Sequence, residues 1–262
     1  MYPYLVDWTV FGIHIHPPTY GVLLATAFSA GYFLAIWRAI KLGEDPKELE
    51  NIFLWVVVAS VIGSRMFHVL FEEPGYYWEH PGKIVAIWEG GYTFYGALLA
   101  SMLAILIYVR VRKIDFWQIC DISAPATALG LAIGRVGCFM AGCCWGRKTT
   151  VPWAVTFRRP DSFCDVRNVP LHPTQLYEAA AALAIFFYFQ WRFNHRKYAG
   201  QLMFEGLFLY SIARYIIEFY RGDDYRGYII QNWVSYSQGV SLLLFPFAVG
   251  GIIWHWRRGR AA

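Results

Sequence analysis

The chain has 262 residues, of which 57% are hydrophobic and 19% aromatic, with a mean hydropathy of +0.36 and a formal net charge of +5. Soluble domains are usually about 45–50% apolar, so this composition excludes an ordinary water-soluble domain and indicates an integral membrane protein. The sequence also contains no nucleotide-binding loop and no serine nucleophile elbow, which excludes the common templates of soluble enzymes.

Seven apolar stretches are each close to the roughly 20 residues that a helix needs to cross a bilayer. In chain order they are Tyr20–Ile40, Ile52–Phe71, Phe94–Val111, Phe116–Gly134, Thr174–Trp191, Gly200–Tyr220 and Ser235–Trp256. The fourth is polar for a lipid-facing helix, so six spans with a buried re-entrant segment are an alternative. We therefore expect an all-α, polytopic membrane protein with about seven transmembrane helices, built as one domain over residues 1–262.

One extramembrane region of notable size, residues 138–172, is predicted to form a small cap and arm within that domain. The alternating stretch VPWAVTF (151–157) predicts a short strand, and the polar, turn-rich RRPDSFCDVRNVP (158–170) predicts a mobile arm.

Positive charges predict the orientation, because translocated loops are poor in Lys and Arg. Twelve of the 23 basic residues follow the first, third, fifth and seventh stretches: Arg38, Lys41, Lys47, Arg110, Arg112, Lys113, Arg192, Arg196, Lys197, Arg257, Arg258 and Arg260. The opposite loop from Glu72 to Glu89 is acidic, so we expect the N-terminus outside and the C-terminus in the cytoplasm.

Eight basic residues remain on the outer side and contradict this bias: Arg135, Arg147, Lys148, Arg158, Arg159, Arg167, Arg221 and Arg226. Arginines near a membrane usually face a cavity, pair internally or bind a ligand. Anionic lipid headgroups are the candidate external partner.

The stretch GRVGCFMAGCCWGR (134–147) combines arginines, cysteines and small residues. Its glycines permit sharp turns and close approach to another surface; they are Gly134, Gly137, Gly142 and Gly146. The segment is therefore either a helix-packing stripe or a binding loop that presents Arg135 to a ligand.

In YSIARYIIEFYRGDD (210–224), Arg214, Glu218 and Arg221 are spaced by four and three residues and are predicted to share one helix face. Glu218 can neutralise one arginine as a structural ion pair. We expect it to pair with Arg214, which leaves Arg221 unpaired and suited to bidentate contact with phosphate.

In LHPTQLYE (171–178), Pro173 predicts a helix start, with His172, Gln175 and Glu178 near one face. A histidine at a helix entrance is either a capping group or, beside a carboxylate and arginines, a candidate base.

The chain has five cysteines: Cys120, Cys138, Cys143, Cys144 and Cys164. Cys164 could reach the Cys143/Cys144 pair in a disulfide, although sequence does not fix connectivity. No HxxC or paired CxxC spacing accompanies them, so we predict no metal site, and small-residue packing is the default interpretation.

Four motifs in order, IWEGGYTFYGALLA (87–100), GRVGCFMAGCCWGR, HPTQLYE and RYIIEFYR, resemble those of the bacterial prolipoprotein diacylglyceryl transferases. The resemblance extends over nearly the whole chain, from GVLLATAFSAGYFLA (21–35) through GSRMFHVLF (63–71) to the last helix. It implies an enzyme of the bacterial inner membrane with its active site toward the periplasm.

The resemblance further implies transfer of the diacylglyceryl group from phosphatidylglycerol to the lipobox cysteine of a preprolipoprotein. Arg135 and Arg221 match the family's essential arginines, and Tyr20 matches a functional tyrosine, although an interfacial aromatic anchor is an equal interpretation. Membrane lipid and the lipobox peptide are the expected partners, and neither a soluble cofactor nor nucleic acid is implied. A non-catalytic anionic-lipid-binding protein and a polytopic transporter are the alternatives.

The sequence departs from the family's pattern at three positions. Tyr95 stands where a histidine is usual, which leaves the general base open, and Cys138 and Cys143 stand where asparagine and an acidic residue are frequent. Tyrosine, with an ordinary pKa near 10, is a weak base at neutral pH. His172, oriented by Glu178 or Tyr177, is one replacement; electrostatic activation of the nucleophile by bound phosphate is another.

Overall fold

The computed structural model describes residues 3–5, 8–10, 13–86, 88, 90–223, 227–230 and 233–258. Glu89, Arg226 and Arg260 of the orientation argument, and Ile87 of the first motif, lie outside the described residues. The chain forms two compact units, each described by itself: the terminal unit, residues 1–35 and 120–262, and the inserted unit, residues 36–119.

Helices dominate the described residues. They are α1 Thr19–Leu42, α2 Pro46–Phe67, α3 Pro74–Glu79, α4 Phe94–Arg112, α5 Phe116–Ala141, α6 Thr174–Arg192, α7 Gln201–Glu218 and α8 Tyr236–Arg258. A π-helical segment, His68–Glu72, continues α2, and 3-10 turns lie at Pro81–Val85 and Phe193–His195. Three antiparallel pairs join β1 Trp8–Val10 to β2 Ile13–Ile15, β3 Val155–Thr156 to β4 Pro170–Leu171, and β5 Tyr228–Ile230 to β6 Val234–Ser235.

Among the described residues, seven helices have 18 or more residues, and each overlaps one of the seven predicted apolar stretches. Five of them, α1, α2 with its π-helical extension, α4, α5 and α8, are long and apolar enough to cross a membrane. The helical, polytopic class is therefore confirmed, and the number of spans stays a prediction. The predicted strand in VPWAVTF covers only Val155–Thr156.

Helix α5 is longer than predicted. The apolar stretch ends at Gly134, but the helix continues to Ala141, so the first four residues of the predicted cap belong to it. One of its polar residues, Asp121, is fully buried and accepts hydrogen bonds from the backbone N–H groups of Gly200, Leu202 and Met203, at 3.0, 2.9 and 3.3 Å. Asp121, one of the residues that made this stretch polar for a membrane span, thus caps the N-terminus of α7.

In the inserted unit, α2 and α4 cross closely at two glycines. A Cβ added at Gly63 would lie 2.6 Å from the carbonyl oxygen of Gly96, so only glycine fits at this point of the crossing. Arg65, on the last turn of α2, donates to the carbonyl oxygens of Lys83, Ile84 and Gly90. A buried guanidinium therefore fixes the loop that leads into α4.

Candidate active site

The backbone of the terminal unit joins three of the sequence motifs. The N–H of Gly146 donates to the carbonyl of His172 (3.1 Å), and the N–H of Arg147 donates to the carbonyl of Tyr220 (2.8 Å). The N–H of Gly222 returns a bond to the carbonyl of Trp145 (3.1 Å). The end of the GRVGCFMAGCCWGR motif therefore lies between the residues that precede α6 and those that follow α7.

The four glycines of this motif have different structural roles. A Cβ at Gly146 would come within 2.4 Å of the His172 carbonyl oxygen, so only glycine permits the backbone pairing. Gly142 has φ +85°, turns the chain after α5, and leaves no room for a side chain beside Ser162. Gly137 packs against Tyr20, whose ring would lie 3.2 Å from an added Cβ. Gly134 lies inside α5, and a Cβ added there would meet no described atom within 4 Å beyond its own helix backbone, so the chain neither turns nor approaches another segment closely at this residue.

Arg135 is held by a carboxylate from α6. Its Nη2 lies 2.9 Å from Oε1 of Glu178, and the hydroxyl of Tyr210 donates to the same oxygen at 2.7 Å. Glu178 is only 1% exposed. The other terminal nitrogen, Nη1, contacts Sγ of Cys144 at 3.8 Å. The guanidinium thus links a buried carboxylate to the loop after α5.

Arg221 is also paired, contrary to the sequence prediction. It follows the end of α7 rather than sharing its face, and it donates from Nε and Nη2 to the two oxygens of Asp223 at 3.0 and 2.7 Å. The helical repeat gives no sign of this partner, because Asp223 lies beyond the end of the repeat. Burial tends to lower the pKa of Arg221, but the bonds to Asp223 and to the Cys144 thiol outweigh burial and raise it.

Arg214 and Glu218 form an ion pair on α7, as the structural interpretation of that motif predicts. Nη1 of Arg214 lies 2.6 Å from Oε2 of Glu218, and Nη2 donates to the Ser237 hydroxyl at 3.0 Å. Both residues are buried. Their primary effect is therefore to tie α7 to the start of α8.

All five cysteines are free thiols, so the disulfide between Cys164 and the Cys143/Cys144 pair, which the sequence left open, is not formed in this structure. Cys164 is buried against Phe157 and Leu171, and its thiol donates to the carbonyl of Val166 at 3.1 Å. The pKa of the Cys144 thiol is lowered by hydrogen bonds from the Cys138 and Cys143 thiols, with further help from the charges of Arg221 and Arg135. The same thiol network raises the pKa of Cys143.

His172 lies at the start of this region and is oriented by Tyr177 rather than by Glu178. Its Nδ1 is 3.0 Å from the Tyr177 hydroxyl, which also accepts a bond of 2.7 Å from the indole N–H of Trp153. Its ring meets that of Tyr220 edge to face, with centroids 5.1 Å apart. Tyr220 directly precedes Arg221, so His172 lies next to the backbone that carries this arginine.

Tyr95 belongs to the inserted unit, where it lies in the first turn of α4 and is half exposed. The inserted unit also contains a histidine that the sequence analysis did not single out. Nδ1 of His68 lies 2.7 Å from Oε2 of Glu72, and its ring lies against Gly91 of the loop that precedes Tyr95. The four-residue spacing of His68 and Glu72 is the signal that could have identified this pair.

A polar cavity of about 190 Å³ lies beside Arg221 in the terminal unit. Its polar lining residues are Arg147, Glu218, Arg221, Asp223, Ser235 and Gln238. A cavity of this character suits a small, hydroxylated or anionic group.

Comparisons with known proteins identify the family of this chain. Residues 6–254 match the sequence profile of the family described as prolipoprotein diacylglyceryl transferase. The chain belongs to this family. Among similar proteins, the phosphatidylglycerol–prolipoprotein diacylglyceryl transferase of Bordetella avium (strain 197N) is 35% identical over 239 residues, which cover 89% of this chain and 87% of that protein.

Two further relatives carry the same name. That of Nitratidesulfovibrio vulgaris (strain DSM 19637 / Miyazaki F) is 35% identical, with 93% of this chain and 89% of that protein covered. That of Trichormus variabilis (strain ATCC 29413 / PCC 7937) is 33% identical, with 92% and 86% covered. The predicted family is therefore confirmed, and with it the enzyme class, a transferase, and its integral membrane character.

Proposed function

We propose that this chain transfers the diacylglyceryl group of phosphatidylglycerol to the lipobox cysteine of a preprolipoprotein, with Arg135 and Arg221 binding the phosphate. The substrates are those in the relatives' names. One observation carries the site assignment: two arginines 86 positions apart in sequence both lie close to Cys144. Nη1 of Arg135 is 3.8 Å from its Sγ, and the charge of Arg221 helps to lower the pKa of the same thiol. Two guanidinium groups near one residue form a suitable cradle for an anion.

The reaction forms one bond and breaks one. The thiolate sulfur of the peptide attacks the diacylglyceryl carbon that bears the phosphate, which forms a thioether. The carbon–oxygen bond to phosphate breaks, and its electron pair leaves with glycerol phosphate. The proton of the thiol passes to a base. Preorganised guanidinium groups stabilise the charge that develops on the departing phosphate.

The carboxylate partners prepare these arginines for exchange. When no lipid is bound, Glu178 holds Arg135 and Asp223 holds Arg221. Each ion pair has no net charge, which matters because an unpaired buried charge is costly. A bound phosphate shares or replaces these contacts. The adjoining polar cavity is a suitable place for the glycerol headgroup, and the Arg214–Glu218 pair supports its wall.

His172 is the proposed base. An ordinary thiol, with a pKa near 8.5, is mostly protonated at neutral pH. The Tyr177 hydroxyl orients one nitrogen of His172 and leaves the other to accept a proton. Tyr20 is proposed to contact the lipid headgroup, and Tyr95 stays a predicted catalytic residue on the strength of the family resemblance alone. The motif residues Gly134, Gly137, Cys138, Gly142 and Gly146 are proposed to form the backbone and wall of the site.

The proposed setting is the bacterial inner membrane, with residues 1–262 acting as one catalytic domain and residues 138–172 as its periplasmic cap and arm. The N-terminus is outside, the C-terminus is cytoplasmic, and the active site faces the periplasm. The acidic loop before Glu89 and the basic C-terminal end support this orientation. The lipid enters from the bilayer, and the peptide approaches under the cap.

The test is transfer by purified protein in detergent with phosphatidylglycerol and a synthetic lipobox peptide, with the thioether product followed by mass. We expect product from the unmodified chain and almost none from Arg135→Ala. Arg112→Ala is the matched control, because it removes an arginine that is paired with Glu48 in the inserted unit. Phosphatidylglycerol binding without transfer to any lipobox peptide would favour the lipid-binding alternative.

A further inference from the structure

Three thiols meet at the end of α5. The Sγ atoms of Cys138, Cys143 and Cys144 all lie within 4.8 Å of one another, and all three residues are partly exposed. Small-residue packing does not require thiols to converge in this way.

The backbone brings them together. Cys138 is on the last turn of α5, and the N–H of Gly142 donates to its carbonyl at 2.9 Å. Gly142 at φ +85° reverses the chain, and Cys144 takes φ +61°, a conformation that residues with a side chain adopt rarely. The cysteines therefore become neighbours through a turn, although their sequence spacing matches no common metal-binding pattern.

Two side chains of α6 fix this turn. The amide of Gln175 donates to the carbonyl of Cys143 at 2.6 Å, and the hydroxyl of Thr174 donates to the carbonyl of Cys144 at 2.9 Å. Both residues are at most 1% exposed. The thiol cluster is thus held by a rigid helix start, as a preorganised ligand set requires.

We propose that Cys138, Cys143 and Cys144 form a three-thiolate site for one soft d10 cation of the Zn²⁺ class. Zinc–sulfur bonds of about 2.3 Å place ligand sulfurs roughly 3.8–4.0 Å apart, so the observed spacing needs only a small contraction. Thiolate ligands select soft cations over Mg²⁺ or Ca²⁺. Each thiol releases its proton to solvent on binding, and the fourth coordination position is open to water.

The cation would regulate the neighbouring phosphate site, an inference that rests on the proposed function. Three thiolates with one dication carry a net charge of −1. One sulfur of this anion, Sγ of Cys144, lies 3.8 Å from Nη1 of Arg135, and the same thiol interacts electrostatically with Arg221. The anion therefore competes with phosphate for these arginines, and we expect the loaded protein to bind phosphatidylglycerol more weakly.

The binding test uses the full-length, reduced protein in detergent without lipid or peptide. Cd²⁺ is the probe, because its thiolate complexes absorb in the ultraviolet, and Zn²⁺ competition gives the affinity. We expect one ion per chain and the thiolate absorption band. Cys138→Ser, Cys143→Ser and Cys144→Ser should each weaken Cd²⁺ binding by more than about a hundredfold. Loss of even an outer-shell partner lowers metal affinity by about 10- to 100-fold.

Cys120→Ser and Cys164→Ser are the matched controls and should bind as the unmodified chain does. Failure to bind one ion per chain, equal binding by all five variants, or a disulfide within the cluster by non-reducing mass spectrometry would overturn the site. The unmodified chain supplies the stoichiometry and absorption band even where a variant does not fold. Because this readout requires no transfer, failure of the proposed function does not affect it. Equal phosphatidylglycerol affinity with and without Zn²⁺ would overturn the regulatory inference.

Discussion

Buried guanidinium groups occur in both units of the chain, but their partners differ. Arg65 of the inserted unit donates to backbone carbonyls of the loop before α4, and it is 4% exposed. Arg221 of the terminal unit is 6% exposed and is held by the carboxylate of Asp223. Arg135 is likewise held by Glu178.

The two kinds of partner suit different functions. The carbonyl groups belong to the protein backbone, so Arg65 fixes the position of the loop. Its hydrogen bonds can break only if that loop moves. A carboxylate is an anion that another anion can replace, so Arg135 and Arg221 can pass from Glu178 and Asp223 to a phosphate. The difference predicts that arginine substitutions in one unit affect catalysis and in the other affect stability.

The largest expected effect is on catalysis, from Arg135→Ala combined with Glu178→Gln. The second change avoids a buried unpaired carboxylate, which would destabilise the protein by itself. Transfer should fall by about a hundredfold to a thousandfold, as for loss of one donor to a developing anion. The turnover number with phosphatidylglycerol in detergent measures it. Glu178→Gln alone is the control, and a double variant that retains near-normal turnover would contradict the role of Arg135.

A second comparison concerns one histidine in each unit. His172→Gln should reduce transfer at neutral pH by about a hundredfold, a typical contribution of a general base. The loss should shrink as the pH rises through about 8.5, where the peptide thiol ionises without help. The rate–pH profile measures this recovery. His68→Gln is the control, and a larger loss in that variant would move the base to the inserted unit.

The third prediction tests Arg65, whose removal should affect stability. Arg65→Met leaves several buried carbonyls without a donor, and each costs about 1–3 kcal/mol. We expect a lower midpoint of thermal unfolding and unchanged phosphatidylglycerol affinity in the protein that remains folded. Arg65→Lys should lose less stability than Arg65→Met, because the lysine ammonium still donates to some of these carbonyls. The recovery should be partial, because it reaches fewer of them than the guanidinium does. A loss of lipid affinity equal to that of the Arg135 variant would remove the distinction between the units.

Local pattern was sufficient to predict the helices, the family and the Arg214–Glu218 ion pair within α7, but not the ion pairs of Arg135 and Arg221. Hydropathy stops at Arg135, so the end of α5 was missed by seven residues. The partner that makes this arginine compatible with a helix, Glu178, comes from α6, 43 positions later. The helical repeat predicts an unpaired Arg221, whereas Asp223 reaches it from the turn beyond α7. Contacts between distant segments and across helix ends have no periodicity to reveal them.

The smallest expected effect comes from the acidic partner of Arg221. Asp223→Asn keeps the shape of the side chain but removes the charge that competes with phosphate. We expect phosphatidylglycerol to bind more tightly by about 1 kcal/mol, roughly fivefold in affinity, because its phosphate then replaces the missing partner of the buried Arg221. Asp161→Asn, which neutralises the partner of Arg159 in the cap, should leave the affinity unchanged. Weaker binding in Asp223→Asn would mean that this carboxylate positions Arg221 for the lipid, and the exchange of one anion for another would then hold for Arg135 alone.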